Sequence, residues 1–423
     1  MKITSVAIAS FAIIASFVAA PFSPSRKPAP HEGKVVPDRA VILGSDELTS
    51  GIPGEGNLKL NEIERWLDEP KNHQPLKLQL PVGLDLLPNR LDKLPTPLTR
   101  AKIELGRQLF FDTRLSLDHT TSCATCHDPD HGYTIPKRFG VGVGGQKGTR
   151  NPPTLINRLM FAGIGEEEFW DGHAASLEDA VLISLTDPAG MASSLDRVIK
   201  TLRTNRGYDL QFTRIYQGVT VASIGDAMAA FIRVIVSGAS PYDYQRAFEA
   251  FEDTDPTDLN EDAELLGKYR SLKAARDANP MSNDALAGMK LFFGMDKAWC
   301  IGCHASPALT DNMCHNIGVG MEDASPDLGR FLTTRNTKDR GAFKTPTLRN
   351  VIQTAPYMHD GRFKTLEDVL RYYGSEKFKN PHLDARFEKL RLTPAEQAEL
   401  VAFIKACAGP LPRVERGRLP AGP

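Results

Sequence analysis

Near the C-terminus, Leu400, Phe403, Ile404 and Cys407 recur at three- and four-residue steps among polar neighbours. That is the period of one helix face. Thr393 before Pro394, with Glu396 three residues after the threonine, marks a helix start, and Gly409-Pro410 marks its stop. Cys407 therefore belongs to a buried stripe. Leu366, Val369, Leu370 and Tyr373 share a second such face, between a capping Thr365 and Gly374. Two further helical runs end in near copies, Gly106-Arg-Gln-Leu-Phe-Phe111 and Gly288-Met-Lys-Leu-Phe-Phe293. No long alternating stretch argues for a sheet core. The expected fold class is mainly α, built by duplication.

Each copy precedes a C-x-x-C-H motif: Cys123-Ala-Thr-Cys126-His127 and Cys300-Ile-Gly-Cys303-His304. This spacing lets two thiols bond the vinyl groups on one porphyrin edge, and the next histidine falls beneath the ring to bind iron. Cys123, Cys126, Cys300 and Cys303 are thus the expected attachment points of two c-type haems, with His127 and His304 as proximal ligands. The paired phenylalanines supply aromatic surface to cover the porphyrin. A four-cysteine zinc site would need neither histidine; zinc and disulfides are the competing readings. The duplicated units are two cytochrome c-like haem domains, residues 98–280 and 281–412, with a tail at 413–423.

A length of 423 residues has room for two or three cores, and a net charge of -1 implies no basic face for nucleic acid. Lys2 precedes an apolar run over residues 6–20, read as a signal segment, with an uncleaved membrane anchor as its rival because Pro21 directly follows Ala19-Ala20. Either version exports the body, in keeping with covalent haem attachment outside the bacterial cytoplasm. The expected location is the periplasm. Residues 21–97 read as a linker and N-terminal strap, the first part a Pro-rich tether. Cys314 and Cys407 are left over, and two separate thiols are preferred to a disulfide.

From about Leu98 onward the chain resembles the bacterial di-haem cytochrome c peroxidase family, and within it the MauG-like branch. The resemblance rests on Leu105-Gly-Arg-Gln-Leu-Phe-Phe-Asp112, Ser122-Cys-Ala-Thr-Cys-His127, Arg150-Asn-Pro-Pro-Thr154, Phe169-Trp-Asp-Gly172, Thr345-Pro-Thr-Leu-Arg-Asn350 and Ala355-Pro-Tyr-Met-His-Asp-Gly361. It implies one haem that meets peroxide and one that relays electrons. It further implies that Trp170 lies between them as a relay, where a core tryptophan is the plainer role. Asn151, Thr354 and Pro356 match ligands of one calcium ion, the last two through carbonyl oxygens suited to that hard cation. By themselves these three read as loop residues.

Three departures shape the expected chemistry. Val143 stands where bis-histidine members carry a distal histidine, and valine cannot ligate iron, so the first haem keeps an open position. Tyr373 aligns with the distal methionine of the second haem, as in MauG-like members, and a phenolate favours the ferric state. Tyr372 is its rival by one register and Met358 its rival as ligand. Gly190, before Met191, replaces the distal glutamate that moves a proton during peroxide cleavage. Asp187 and Glu166-Glu-Glu168 read as solvated charges rather than as substitutes.

The expected function is a periplasmic di-haem c-type oxidoreductase that uses hydrogen peroxide. Its electrons come from a small cytochrome or from side chains of a partner protein. Peroxide detoxification is the simpler enzymatic reading, and a di-haem electron carrier without peroxidase activity is the other class. Val143 favours an enzyme and Gly190 a carrier.

Overall fold

A computed structural model describes residues 40–85, 91–163, 165–251, 254–375, 380–386 and 391–422. The leader and tether expected over residues 1–37 lie outside them. The described residues are mainly helical. In chain order the helices are α1 Leu60–Asp68, α2 Arg100–Phe111, the one-turn α3 Cys123–Cys126, α4 Leu177–Thr186, α5 Leu195–Thr204, α6 Arg206–Tyr216 and α7 Val221–Arg233. They continue with α8 Pro241–Glu249, α9 Pro256–Glu261, α10 Ala263–Ala278, α11 Asn283–Phe293, the short α12 Phe331–Thr334, α13 Leu366–Gly374 and α14 Pro394–Ala406. Sheet is confined to two pairs: β1 Val41–Ile42 runs parallel to β2 Leu78–Gln79, and β3 Cys314–His315 antiparallel to β4 Phe343–Lys344.

The two helix patterns read near the C-terminus form as expected. Thr393 Oγ1 accepts the Glu396 amide at the start of α14, and Leu400, Phe403, Ile404 and Cys407 are buried. Thr365 caps α13 in the same way, with Leu366 and Leu370 in the core.

Two large cores divide the molecule. The first holds Leu105, Leu109 and Phe110 of α2 with Ile224, Met228 and Phe231 of α7. The second holds Met289 and Phe292 of α11 with Leu400, Phe403 and Ile404 of α14. The duplicated glycines explain both crossings. A Cβ on Gly106 would overlap the carbonyl oxygen of Ala227, and one on Gly288 that of Glu399. Without a side chain each helix lies directly on the backbone of its partner. The leading phenylalanine of each copy then packs alike: Phe110 meets Phe231 at 5.2 Å between ring centres, and Phe292 meets Phe403 at 4.9 Å.

The strap and the C-terminal residues close over α2. Leu58 bridges to Pro420, and Ile52, Leu58, Ile63 and Leu67 form a small core with Ala101. Arg107 is fully buried; it pairs with Glu104 and donates to the carbonyl oxygens of Glu415 and Arg418. Residues 413–422 are thus integral to the body. Among the described residues no single helix is long and apolar enough to cross a membrane.

Candidate functional site

Both C-x-x-C-H motifs form a tight helical turn that places the histidine next to its cysteines. The ring nitrogen Nδ1 of His127 lies 3.0 Å from the Tyr133 carbonyl oxygen, and Nδ1 of His304 lies 3.1 Å from that of Leu309. A carbonyl can only accept, so each Nδ1 carries the proton and each Nε2 presents a lone pair. Burial lowers the pKa of both imidazoles and favours the neutral form that iron requires. Tyr133 and Leu309 both sit at positive φ, 56° and 53°, which turns their carbonyls toward the rings.

The cysteines fit thioether linkage better than a shared metal. Burial pushes the Cys123 and Cys300 thiols up to about 12. The two motifs pack against different cores. Among the described residues no four-ligand cluster forms; the one group of potential ligands is Cys303, Asp311 and His315, in which His315 is already held by Asp311 and Asp384. Cys314 and Cys407 are separate free thiols, as the helical stripe implied.

A cavity of about 600 Å³ opens beside the second motif, of the size that cofactor sites have. Cys300, Cys303, His304, Met358, Trp170 and Tyr373 all line it. Tyr373 reaches this space from α13, and burial holds its phenol well above the usual range. Its neighbour Tyr372 donates instead to the carbonyl of Ile317 at 2.9 Å. The histidines, the cysteine pairs and this cavity together fit two c-type haems.

Trp170 stands on the same cavity, its Nε1 donating to the Asn151 carbonyl at 2.7 Å. Asn151, Thr354 and Pro356 lie along that cavity too. The Asn151 amide nitrogen is spent on the carbonyls of Lys137 and Arg138, which turns its oxygen the opposite way. Asn151 thus contacts the tryptophan directly, while Thr354 and Pro356 share the cavity wall with it.

On the side of the first motif, the two distal departures meet. The Val143 amide donates to the Gly190 carbonyl at 3.0 Å. The loop carrying Val143 also approaches the haem cysteine: a Cβ on Gly140 would lie 2.9 Å from Cys126 Sγ. Gly190 itself has room, since an added Cβ would meet nothing closer than 3.5 Å. Asp187 is exposed and caps its own turn through Ala189. The acidic run corrects the expectation of solvated charge: Glu166 and Glu168 are buried, paired with Arg233 and Arg158, while Glu167 pairs with Arg330. Ion pairing lets these carboxylates leave water.

The structure also reveals how far the duplication runs. Pro153-Thr154-Leu155 and Pro346-Thr347-Leu348 occupy matching places: Thr154 Oγ1 donates to the Gly132 carbonyl and Thr347 Oγ1 to that of Ala308, each at 2.6 Å. Each threonine clamps the residue just before the carbonyl that holds the proximal histidine. Phe169-Trp-Asp-Gly172 corresponds likewise to Met358-His-Asp-Gly361, with Phe169 and Met358 both at positive φ. Ser176 and Thr365 then cap α4 and α13, each side chain accepting the amide three residues on. By this register Ser184 of α4 holds the place of Tyr373, and its hydroxyl bonds back to Ala180 of its own helix. These short shared strings are present in the sequence, and comparing the two halves residue by residue would have found them.

Residues 100–249 match the profile of the di-haem cytochrome c peroxidase family. The methylamine utilization protein MauG of Methylophilus methylotrophus is 30% identical over 77% of this chain and 88% of its own length. Cytochrome c551 peroxidase of Nitrosomonas europaea is 31% identical over 78% of this chain and 86% of its own. Among solved structures, a MauG-like protein associated with microbial copper homeostasis superimposes with a TM-score of 0.60 at 28% identity, covering 74% of this chain and 91% of that one. Paired attachment motifs, carbonyl-held histidines and a haem-sized cavity thus coincide with similarity along most of the chain, which belongs to the di-haem cytochrome c peroxidase family and is a di-haem oxidoreductase of the peroxidase and MauG kind.

Proposed function

We propose that this di-haem oxidoreductase works in the periplasm, takes hydrogen peroxide at the haem of His127, and draws electrons through Trp170 and the haem of His304. The donor is a small cytochrome or, as in a protein-maturing enzyme, the side chains of a partner. The observation that carries the reading is the asymmetry between matching positions. Tyr373 stands over the second haem pocket, whereas its counterpart Ser184 is short and bonded to its own helix. Haem, when bound, would supply an iron able to exchange electrons with peroxide.

The protein groups divide the labour. His127, held by the Tyr133 carbonyl, offers Nε2 to one iron. Val143 presents only aliphatic surface there, so peroxide meets no competing protein ligand. Tyr373 offers the second iron an anionic oxygen once its proton is released, and such a donor favours the ferric state. Trp170, fixed through Nε1 to Asn151, is the electron relay, and Asn151, Thr354 and Pro356 hold a calcium ion that steadies it.

Tyr373→Phe in the loaded protein tests this assignment by optical and EPR spectroscopy of the ferric state. The ligand field of one haem should change while the other stays high-spin, with two covalent haems retained by mass. Unchanged spectra in that variant would remove Tyr373 from the iron. A wild type whose irons are both six-coordinate with protein ligands would favour an electron carrier.

A further inference from the structure

Lys344, in β4, is a buried basic residue whose amine forms no ion pair among the described residues. Its side chain is more than nine-tenths buried, and among the described residues Nζ has no hydrogen-bond partner. The nearby carboxylates are engaged elsewhere: Arg158 donates twice to Glu168, and Arg330 holds both oxygens of Glu167. Burial, reinforced by Arg158 and only partly offset by the more distant charges of Glu168 and Glu167, holds the amine down to about 8. A buried ammonium without a directly bonded anion is costly, so such a group signals a missing partner.

The place of this amine narrows the partner. Lys344 lines the cavity that Cys300, Cys303 and His304 also line, and its amide donates to the Trp170 carbonyl at 2.7 Å. The internal duplication gives this contact a mate. Asn151 precedes Pro-Pro-Thr as Lys344 precedes Thr-Pro-Thr, and the Asn151 amide donates to the His359 carbonyl, also at 2.7 Å. In one half this position carries a neutral amide oxygen donor; in the other it carries a built-in cation. Of the other cations on the cavity wall, Arg158 is paired with Glu168, Lys297 with Glu396 and Arg386 with Asp384, while Arg391 is exposed to water. Haem brings two carboxylates on the edge opposite its vinyl groups.

We propose that Lys344 is the ion-pair anchor for a propionate of the second haem, placed beside Trp170 so that it positions the haem and sets its potential. The assignment rests on a haem occupying the His304 pocket. A cation near the iron favours the reduced form, because reduction removes one positive charge from the centre. Removing the charge should therefore shift the second haem toward ferric.

Lys344→Met and Lys344→Arg holoproteins test this by spectroelectrochemistry, with haem content from the pyridine haemochrome. The methionine variant should keep the first haem's potential and shift the second haem's reduction equilibrium about tenfold toward ferric, ~59 mV for one electron. The arginine variant should restore it. Two haems with unaltered potentials in Lys344→Met overturn the anchor and leave the di-haem reading intact. A shift that arginine does not restore assigns the effect to packing and overturns it as well. If the second haem is lost from the methionine variant alone, the anchor stands; loss from both variants counts against it. A wild type with a single haem would instead overturn the reading on which the anchor depends.

Discussion

At the scale of single residues, the proposed peroxide chemistry turns on what Gly190 lacks. A positioned acid–base group contributes about a hundred- to ten-thousand-fold to a proton-transfer step. Gly190 has space for a side chain, and its carbonyl accepts the Val143 amide, in the loop proposed to face peroxide. Gly190→Glu should therefore accelerate the peroxide-induced change in the ferric Soret band, read by stopped flow, from a slow wild-type rate. A wild type that already reacts fast, with no gain in the variant, would show that another residue supplies the base. The acidic run is no candidate, because its carboxylates are locked to Arg233, Arg330 and Arg158.

At the scale of elements, two helix crossings carry each half: α2 on α7, and α11 on α14. Both depend on a glycine at the point of closest approach. Gly288→Ala forces α11 away from the Glu399 backbone, and overpacking of this kind costs about 1–3 kcal/mol or more. Gly106→Ala does the same against Ala227. Each variant should lower the thermal midpoint of the holoprotein by several degrees, whereas alanine at Gly267, where an added Cβ meets nothing within 4 Å, should not. Equal midpoints for all three would mean that the helices can slide apart without loss. The paired glycines are visible in the sequence as part of a repeat, but their reason is a contact with a helix more than a hundred residues away.

At the scale of the whole molecule, ion pairs stitch the two halves together. Arg150 reaches Asp171 at 2.8 Å in its own half and Asp327 at 2.7 Å in the other. Arg349 and Asp243 form a pair that is almost wholly buried. Burial alone would raise Asp171, but hydrogen bonds from His173 and Arg150 outweigh it and hold the carboxyl at about 2. A carboxylate lowered by folding stabilises the protein above its unfolded pKa of about 3.9, and that stability is lost as pH falls toward 2. The contribution is about 2 kcal/mol. Asp171→Asn should lower stability at neutral pH and flatten its decline between pH 4 and 2, measured by denaturant unfolding. An equally steep acid limb in the variant would place the acid sensitivity in other carboxylates.

The sequence by itself determined the helical class, the caps of α13 and α14, the buried stripe ending in Cys407, and the haem chemistry of both motifs. These are local matters: a helix face, a cap and a C-x-x-C-H turn are written within a few consecutive residues, and their physics needs no distant partner. The helical period already put Tyr373 on the inner face of α13, and the tertiary structure supplied what it meets there, the cavity, and what Tyr372 meets instead, the Ile317 carbonyl. It also decided that Val143 meets Gly190, that three glutamates read as solvated charge are bound by arginines, and that the carbonyls of Glu415 and Arg418 hold Arg107. Above all it isolated the amine of Lys344, because whether a charge is paired depends on every group brought near it by the fold. No stretch of sequence contains that sum.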